Sequence, residues 1–225
     1  MKVFTSGLLA MKFPQNLSVK NIFSDPSTVF LLYTNLFTIL LGLMFSWNVL
    51  EFMWVYWAQS VIIGIFSFAR ILAIVFSPIS DDIVKAISFM MGFSFIMNYG
   101  ITHLAYFAVL LGASLGASYL FPLANFDFVL FLPFLALTSL IFFINHLFSF
   151  IQHSKDAPST SAESIIFINN TTNRAFGRII PMQVTIILGG FIFVLGFMNQ
   201  FILLLFLLVK TLADLSTHID EHRKN

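Results

Sequence analysis

Residues 54–70 read WVYWAQSVIIGIFSFAR, a stretch apolar enough to lie in a bilayer that nevertheless carries a polar seam. At 100° per residue, Tyr56, Gln59, Ser60, Gly64, Ser67 and Arg70 fall within one arc of roughly 140° on a helix. Most of the remaining surface is Val, Ile, Phe, Leu and Ala. Lipid offers that seam no hydrogen-bond partner. The spacing therefore predicts a membrane helix whose polar side faces other helices or a small hydrated cavity.

Composition extends this reading to the whole chain. Hydrophobic residues make up 59% and charged residues 9%, against about 45–50% and about 25% in soluble domains. Long uncharged apolar stretches recur, which is the pattern of membrane spans. The thirty Phe residues suit a lipid-facing surface rather than a recognition surface. A net charge of +1 without a basic cluster excludes an electrostatic nucleic-acid binder. With no Cys there is no disulfide framework, thiolate metal site or thiol nucleophile. The first twenty residues scatter Lys2, Lys12 and Lys20 among short apolar pieces broken by Pro14. No signal-peptide core precedes a small-residue cleavage site, so the N-terminus is expected to be retained.

The predicted fold is an all-α polytopic membrane helix bundle forming a single integral membrane domain over residues 1–225. Its six spans are placed near 28–49, 52–76, 83–112, 126–151, 180–196 and 199–217. A tight turn at Asn48–Glu51 joins the first two, with Trp47, Trp54 and Trp57 suited to an interfacial belt. Pro78, Ser80, Asp81 and Asp82 end the second helix and can cap the third. The third is long for a hydrocarbon core of about 30 Å, so tilt or a break near Gly112–Gly116 is expected. Residues 152–178 are polar and turn-rich, and read as a cytoplasmic loop. All eleven Lys and Arg then fall in inner segments or on the inner half of a helix. This positive-inside sorting predicts that both termini are cytoplasmic, in what is expected to be a prokaryotic cell membrane.

Candidate functional residues are the polar groups that this parse places in or near the bilayer. Tyr56, Gln59 and His103 lie in the outer half; Arg70, His146, Gln183, Lys210, Asp214 and His218 lie in the inner half or at its edge. The third helix presents Ser88, Gly92, Tyr99, His103 and Tyr106 on one arc of about 60°, with Ser94, Asn98 and Thr102 forming a second stripe. Such residues either hold helices together or provide an imidazole that binds a ligand or carries a proton. In KTLADLSTHIDEH at 210–222, Asp214, His218 and His222 repeat at i,i+4. His218 and His222 could share a zinc ion, but Glu221 directly precedes the second His, so the HExxH order is absent. An amphipathic helix end at the cytoplasmic interface accounts for the same pattern.

YWAQS at 56–60 with Arg70 behind it, NYGITH at 98–103, NHLFSF at 145–150, RIIPMQVTIILGG at 178–190 and KTLADLSTHIDEH resemble an uncharacterised family of prokaryotic polytopic membrane proteins. Its marks are YWA followed by Glu or Gln in the second helix, and K-x3-D-x3-H-x2-EH after the last. The resemblance implies that position 59 is commonly Glu and position 183 commonly His in relatives. Gln at both positions here removes a titratable group from each. No tightly bound transition metal is therefore expected, with His103, His146, His218 and His222 the residual candidates. The resemblance implies topology and positions but no activity, and the cofactor stays open. Three functions fit these residues: transport of a small solute, ion or proton; a membrane-embedded metal-dependent enzyme; or a structural or accessory subunit. The partners expected are the lipid bilayer and either a second copy of the chain or the partner of an accessory subunit, with no nucleic acid.

Overall fold

The computed structural model describes the backbone of residues 26–78, 81–120, 126–152, 158, 160–194 and 211, and the side chains of these except 26–28, 117–120, 178 and 180–194. All described regular structure is helical: α1 (Pro26–Met44), α2 (Val49–Val75), α3 (Asp82–Leu120), α4 (Phe128–Gln152) and α5 (Ser161–Val194). Three of these, α2, α3 over Asp82–Gly116 and α4, are long and apolar enough to cross a membrane, and α1 is a shorter apolar helix over Val29–Met44. The expected spans near 28–49, 52–76, 83–112 and 126–151 correspond to α1 through α4. Apart from Thr211, the expected sixth span, 199–217, and both termini lie outside the described residues.

Local chemistry sets the helix boundaries. α1 ends earlier than the sequence predicts, and its turn lies at Phe45–Asn48. Trp47 N–H donates to Gly42 O at 2.8 Å and Ser46 N–H to Leu43 O at 3.4 Å. These are the two bonds of a Schellman ending. Ser46 occupies its left-handed position at φ 52°, where glycine is usual. Asn48 and Glu51, expected in the turn, instead start α2. The Asn48 side chain accepts from the N–H groups of Leu50 and Glu51, and the Glu51 carboxylate accepts from the Asn48 N–H. That is a capping box. Asp81 caps α3 by accepting from Val84 N–H at 2.8 Å, as the sequence predicts for that turn. Asp127 does the same for α4, accepting from Val129 and Leu130. α3 continues unbroken through Gly112 and Gly116, so its length is not accommodated by the break considered above.

α2 is the central helix. It packs on α3, α4 and α5, while α1 lies against α4 and α5 also touches α3. At the N-terminal end of α2 this packing forms an aromatic cluster of Trp47, Phe52, Trp54, Tyr56, Phe126 and Phe131. Trp47 meets Phe131 edge-on at 5.3 Å and Trp54 meets Trp57 edge-on at 5.7 Å. Trp47 and Trp54 are thus core residues rather than a belt, and the Trp54 indole N–H donates to Ser114 Oγ at 2.9 Å. Gly42 lets α1 approach, since a Cβ there would run into the Phe52 ring.

Residues 152–178 depart most from the predicted loop. From Ser161 onward this segment is the first half of α5, not a loop, and it joins without interruption the stretch expected as a span near 180–196. Ser164, Ile168, Thr171, Ala175 and Ile179 form one buried stripe at helical spacing. Ile168, Ala175 and Ile179 pack with Ile71 and Ile74 of α2 and Val84, Phe95 and Tyr99 of α3. Ser161 Oγ donates to Asp81 Oδ2 at 3.1 Å, so α3 and α5 begin side by side and run in the same direction.

Candidate functional site

The polar seam of α2 is where the buried chemistry collects. Tyr56, Gln59, Ser60 and Gly64 are buried, and Ser67 and Arg70 are partly so, in agreement with a seam that faces other helices. Ser60 meets the arc of α3 that the sequence singles out. Tyr99 Oη donates to the Ser60 carbonyl at 2.7 Å and lies 3.1 Å from Ser60 Oγ. His103 Nε2 lies 2.9 Å from Ser60 Oγ, and its Nδ1 lies 2.8 Å from the Tyr99 carbonyl. A carbonyl only accepts, so in the neutral ring Nδ1 carries the proton and Nε2 accepts from the Ser60 hydroxyl. Tyr99 and His103 stack at 4.2 Å and 17°. The Trp57 indole N–H donates to His103 O at 3.0 Å, fastening the next turn of α2 to α3.

Glycine makes the approach possible. A Cβ on Gly64 would fall into the Tyr99 ring, 2.9 Å from Cδ1, so a larger residue there would push the phenol off Ser60. Chemically the order of groups is hydroxyl, imidazole, carbonyl, which is that of an activated nucleophile. Yet Ser60 is 4% exposed, and Tyr99 Oη and His103 Nε2 both crowd its hydroxyl. No substrate carbonyl has room to approach. The arrangement acts as a clasp in which each polar atom satisfies another.

On the other side of α2 lies His146 of α4. Its ring stands 4.6 Å from that of Phe142 and stacks on Phe66 at 5.9 Å. His103 and His146 therefore belong to separate clusters, one on the α2–α3 side and one on the α2–α4 side. Thr138, Asn145 and Ser149 are buried on α4, and Thr34, Asn35 and Thr38 on α1. The Thr hydroxyls bond back to their own helices: Thr34 to Leu31 O at 2.9 Å, Thr38 to Thr34 O at 2.9 Å and Thr138 to Phe134 O at 2.9 Å. Asn145 is buried with no hydrogen bond to its Oδ1 among the described residues. The α1 stripe was missed in the sequence, although polar residues at 34, 35 and 38 of an otherwise apolar helix give a readable signal.

Of the remaining sequence candidates, the side chain of Gln183 and all of Lys210, Asp214, His218 and His222 lie outside the described residues. Thr211, beside Lys210, is buried. Among the described residues no three His, Cys, Asp or Glu come together as a metal site would require.

One protein-family model matches residues 19–225, a span that contains every helix above. The chain belongs to DUF6498, a family of unknown function. No curated protein and no solved structure matches it. Membership agrees with the resemblance drawn from the sequence to an uncharacterised family. For a DUF6498 chain the chemistry must therefore be argued from the residues themselves.

Proposed function

We propose that this chain is a multi-pass membrane protein of six spans, both termini cytoplasmic, that passes a small polar solute, ion or proton. The observation that carries the proposal is the outer face of α5. Asn169 and Asn173 are exposed and lie about 120° and about 160° around the helix from the centre of the buried stripe. That same stretch of α5 packs beside α2 and α3, and Phe176 reaches Phe95 at 5.7 Å and Tyr99 at 5.9 Å. Tyr99 is close to the midpoint of α3. At about 1.5 Å per residue, Asn173 lies about 4.5 Å and Asn169 about 10 Å before Phe176 along α5, and a carboxamide face leading to that depth is costly against lipid and favourable against water or a polar partner. Asn169 and Asn173 then form one wall of a cleft open to the cytoplasm. Arg70, Gln183, Lys210, Asp214 and His218 are its proposed charged and polar lining, with Tyr56, Gln59, His103 and His146 deeper in the bundle.

The test is solvent access. The chain has no native Cys, so Asn169→Cys and Asn173→Cys can be labelled singly with a membrane-impermeant maleimide in inside-out vesicles. Labelling at both positions, with Ile101→Cys on α3 unlabelled, is expected; two unreactive thiols would mean the face lies in lipid and there is no cleft. Proton or ion flux in liposomes that falls on Asp214→Asn then distinguishes transport from a passive vestibule. A structural or accessory role is the second reading, favoured by the fully bonded Ser60–Tyr99–His103 clasp. Stoichiometric co-purification of one partner, without flux, would support it. The separate settings of His103 and His146 give no support to a metal-dependent enzyme that uses the two together.

A further inference from the structure

We propose that the face of α3 turned away from α2 is where two copies of this chain associate, through Ser94 and Asn98. The inference rests on α3 crossing the bilayer. The inward side of α3 carries Ser88, Phe95, Tyr99, His103 and Leu110, all buried. About 145° around the helix lie Ser94, Asn98, Ile101, Ala105, Ala108 and Gly112, within an arc of about 80°. All six are exposed.

Two observations separate this face from an ordinary lipid surface. The first is its hydrogen bonding. Asn98 Nδ2 donates to Ser94 O at 2.8 Å and lies 3.3 Å from Ser94 Oγ. These contacts occupy the amide donors and one lone pair of the hydroxyl. They leave Asn98 Oδ1 as an acceptor and the Ser94 O–H as a donor, neither with a partner among the described residues. Helical side chains lean towards the N-terminus, which brings the Asn98 amide down to the depth of Ser94. Both groups lie near the middle of the Asp82–Gly116 segment, where hydrocarbon can satisfy neither. A second copy in the same orientation sets each Ser94 hydroxyl opposite the other copy's Asn98 Oδ1. One donor and one acceptor at one depth on one face are self-complementary, as a two-fold contact requires. This reciprocity is what points to a second copy rather than an unrelated helix.

The second observation is Gly112. A Cβ there would meet nothing within 4 Å among the described residues, so no described neighbour requires glycine. With Ala105 and Ala108 it gives a shallow track along which a neighbouring helix can approach closely.

Single-Cys chains in native membranes test this. Under mild oxidation, Ile101→Cys and Ala105→Cys are expected to form disulfide-linked dimers at least five-fold faster than Phe89→Cys, which is exposed on another face of α3. In the Ala105→Cys background, Asn98→Leu and Gly112→Leu should each lower that rate at least five-fold. A Cβ at position 112 meets no described neighbour, so Gly112→Leu is expected to keep the fold of one chain; an unchanged thermal unfolding curve checks this, and its effect on crosslinking then reports on association. Equal rates at all three thiols, no linked species, or a linked species of a mass other than twice 25.5 kDa would overturn the proposal. An alkaline wash of the same membranes separates the two readings. A chain retained in the pellet without face-specific crosslinking refutes the dimer alone; a chain released by the wash refutes the membrane span and the dimer with it.

Discussion

The imidazole of His103 lies 4.2 Å from the phenol of Tyr99, stacked at 17°, and both rings hydrogen-bond to Ser60 on the neighbouring helix. One residue of α2 thus holds two successive turns of α3. The three side chains behave as a unit, and their removal should be non-additive.

Ser60→Ala removes the hydroxyl but keeps the carbonyl that accepts from Tyr99. It should destabilise the bundle by about 1–2 kcal/mol, chiefly by leaving His103 Nε2 buried without its donor. Combined with His103→Ala, a double-mutant cycle in mixed micelles should give a coupling of about 0.6 kcal/mol and at most about 1.7. Strict additivity would show that the contact contributes nothing.

Gly64→Ala should cost about 1–3 kcal/mol, because the added methyl and the Tyr99 ring compete for one volume. Tyr99→Leu in the same chain relieves the clash, so the double variant should lose less than the sum of the two. Thermal unfolding of the four purified proteins measures this directly. A Gly64→Ala protein as stable as the parent would mean that α2 and α3 are not held this close.

Ser46→Gly should raise stability by about 1 kcal/mol, since an L residue at φ 52° bears a steric cost that glycine does not. Ser46→Val should move stability the other way by a similar or larger amount. The same unfolding measurement checks both signs, and a neutral Gly variant would show that the turn relaxes freely.

Arg70 and Asp214 are proposed as an ion pair across the second and last expected spans, on the matched depth that the sequence reading gives them. Asp214→Asn should lower the yield of folded protein, and Arg70→Gln in the same chain should partly restore it. Independent, summed losses in that cycle would mean the two do not interact.

The legible part of the fold followed from contrast. In α2 and α3 the surroundings are so apolar that Gln59, Ser60, Tyr99 and His103 stood out, and angular spacing alone put them on faces that prove to be buried. The turn after α1 was placed late because Ser46 adopts a conformation that sequence reading reserves for Gly or Asn. α5 was misread for a different reason. Its NNTTN run has weak helix propensity and sits among turn-forming residues, yet Ile168, Ala175 and Ile179 pack against Ile71, Ile74, Phe95 and Tyr99. Tertiary burial of one stripe outweighs local preference. The stripe was present at spacings of three and four, obscured by the polar residues of the other face.

The central place of α2 also bears on biogenesis. A ribosome completes α2 before any of the three helices that will surround it, so Gln59, Ser60 and Arg70 enter the translocation machinery while their eventual neighbours are unmade. α3 is the first to arrive, bringing Tyr99 and His103 to Ser60. α5, which covers Ile71 and Ile74, comes last of the three, after more than eighty further residues of synthesis. For the membrane insertion proposed above, the seam is then expected to stay in contact with the insertion channel or a membrane chaperone over that interval. Nascent chains halted between α2 and α3 should therefore remain crosslinkable to that machinery longer than chains halted after α5.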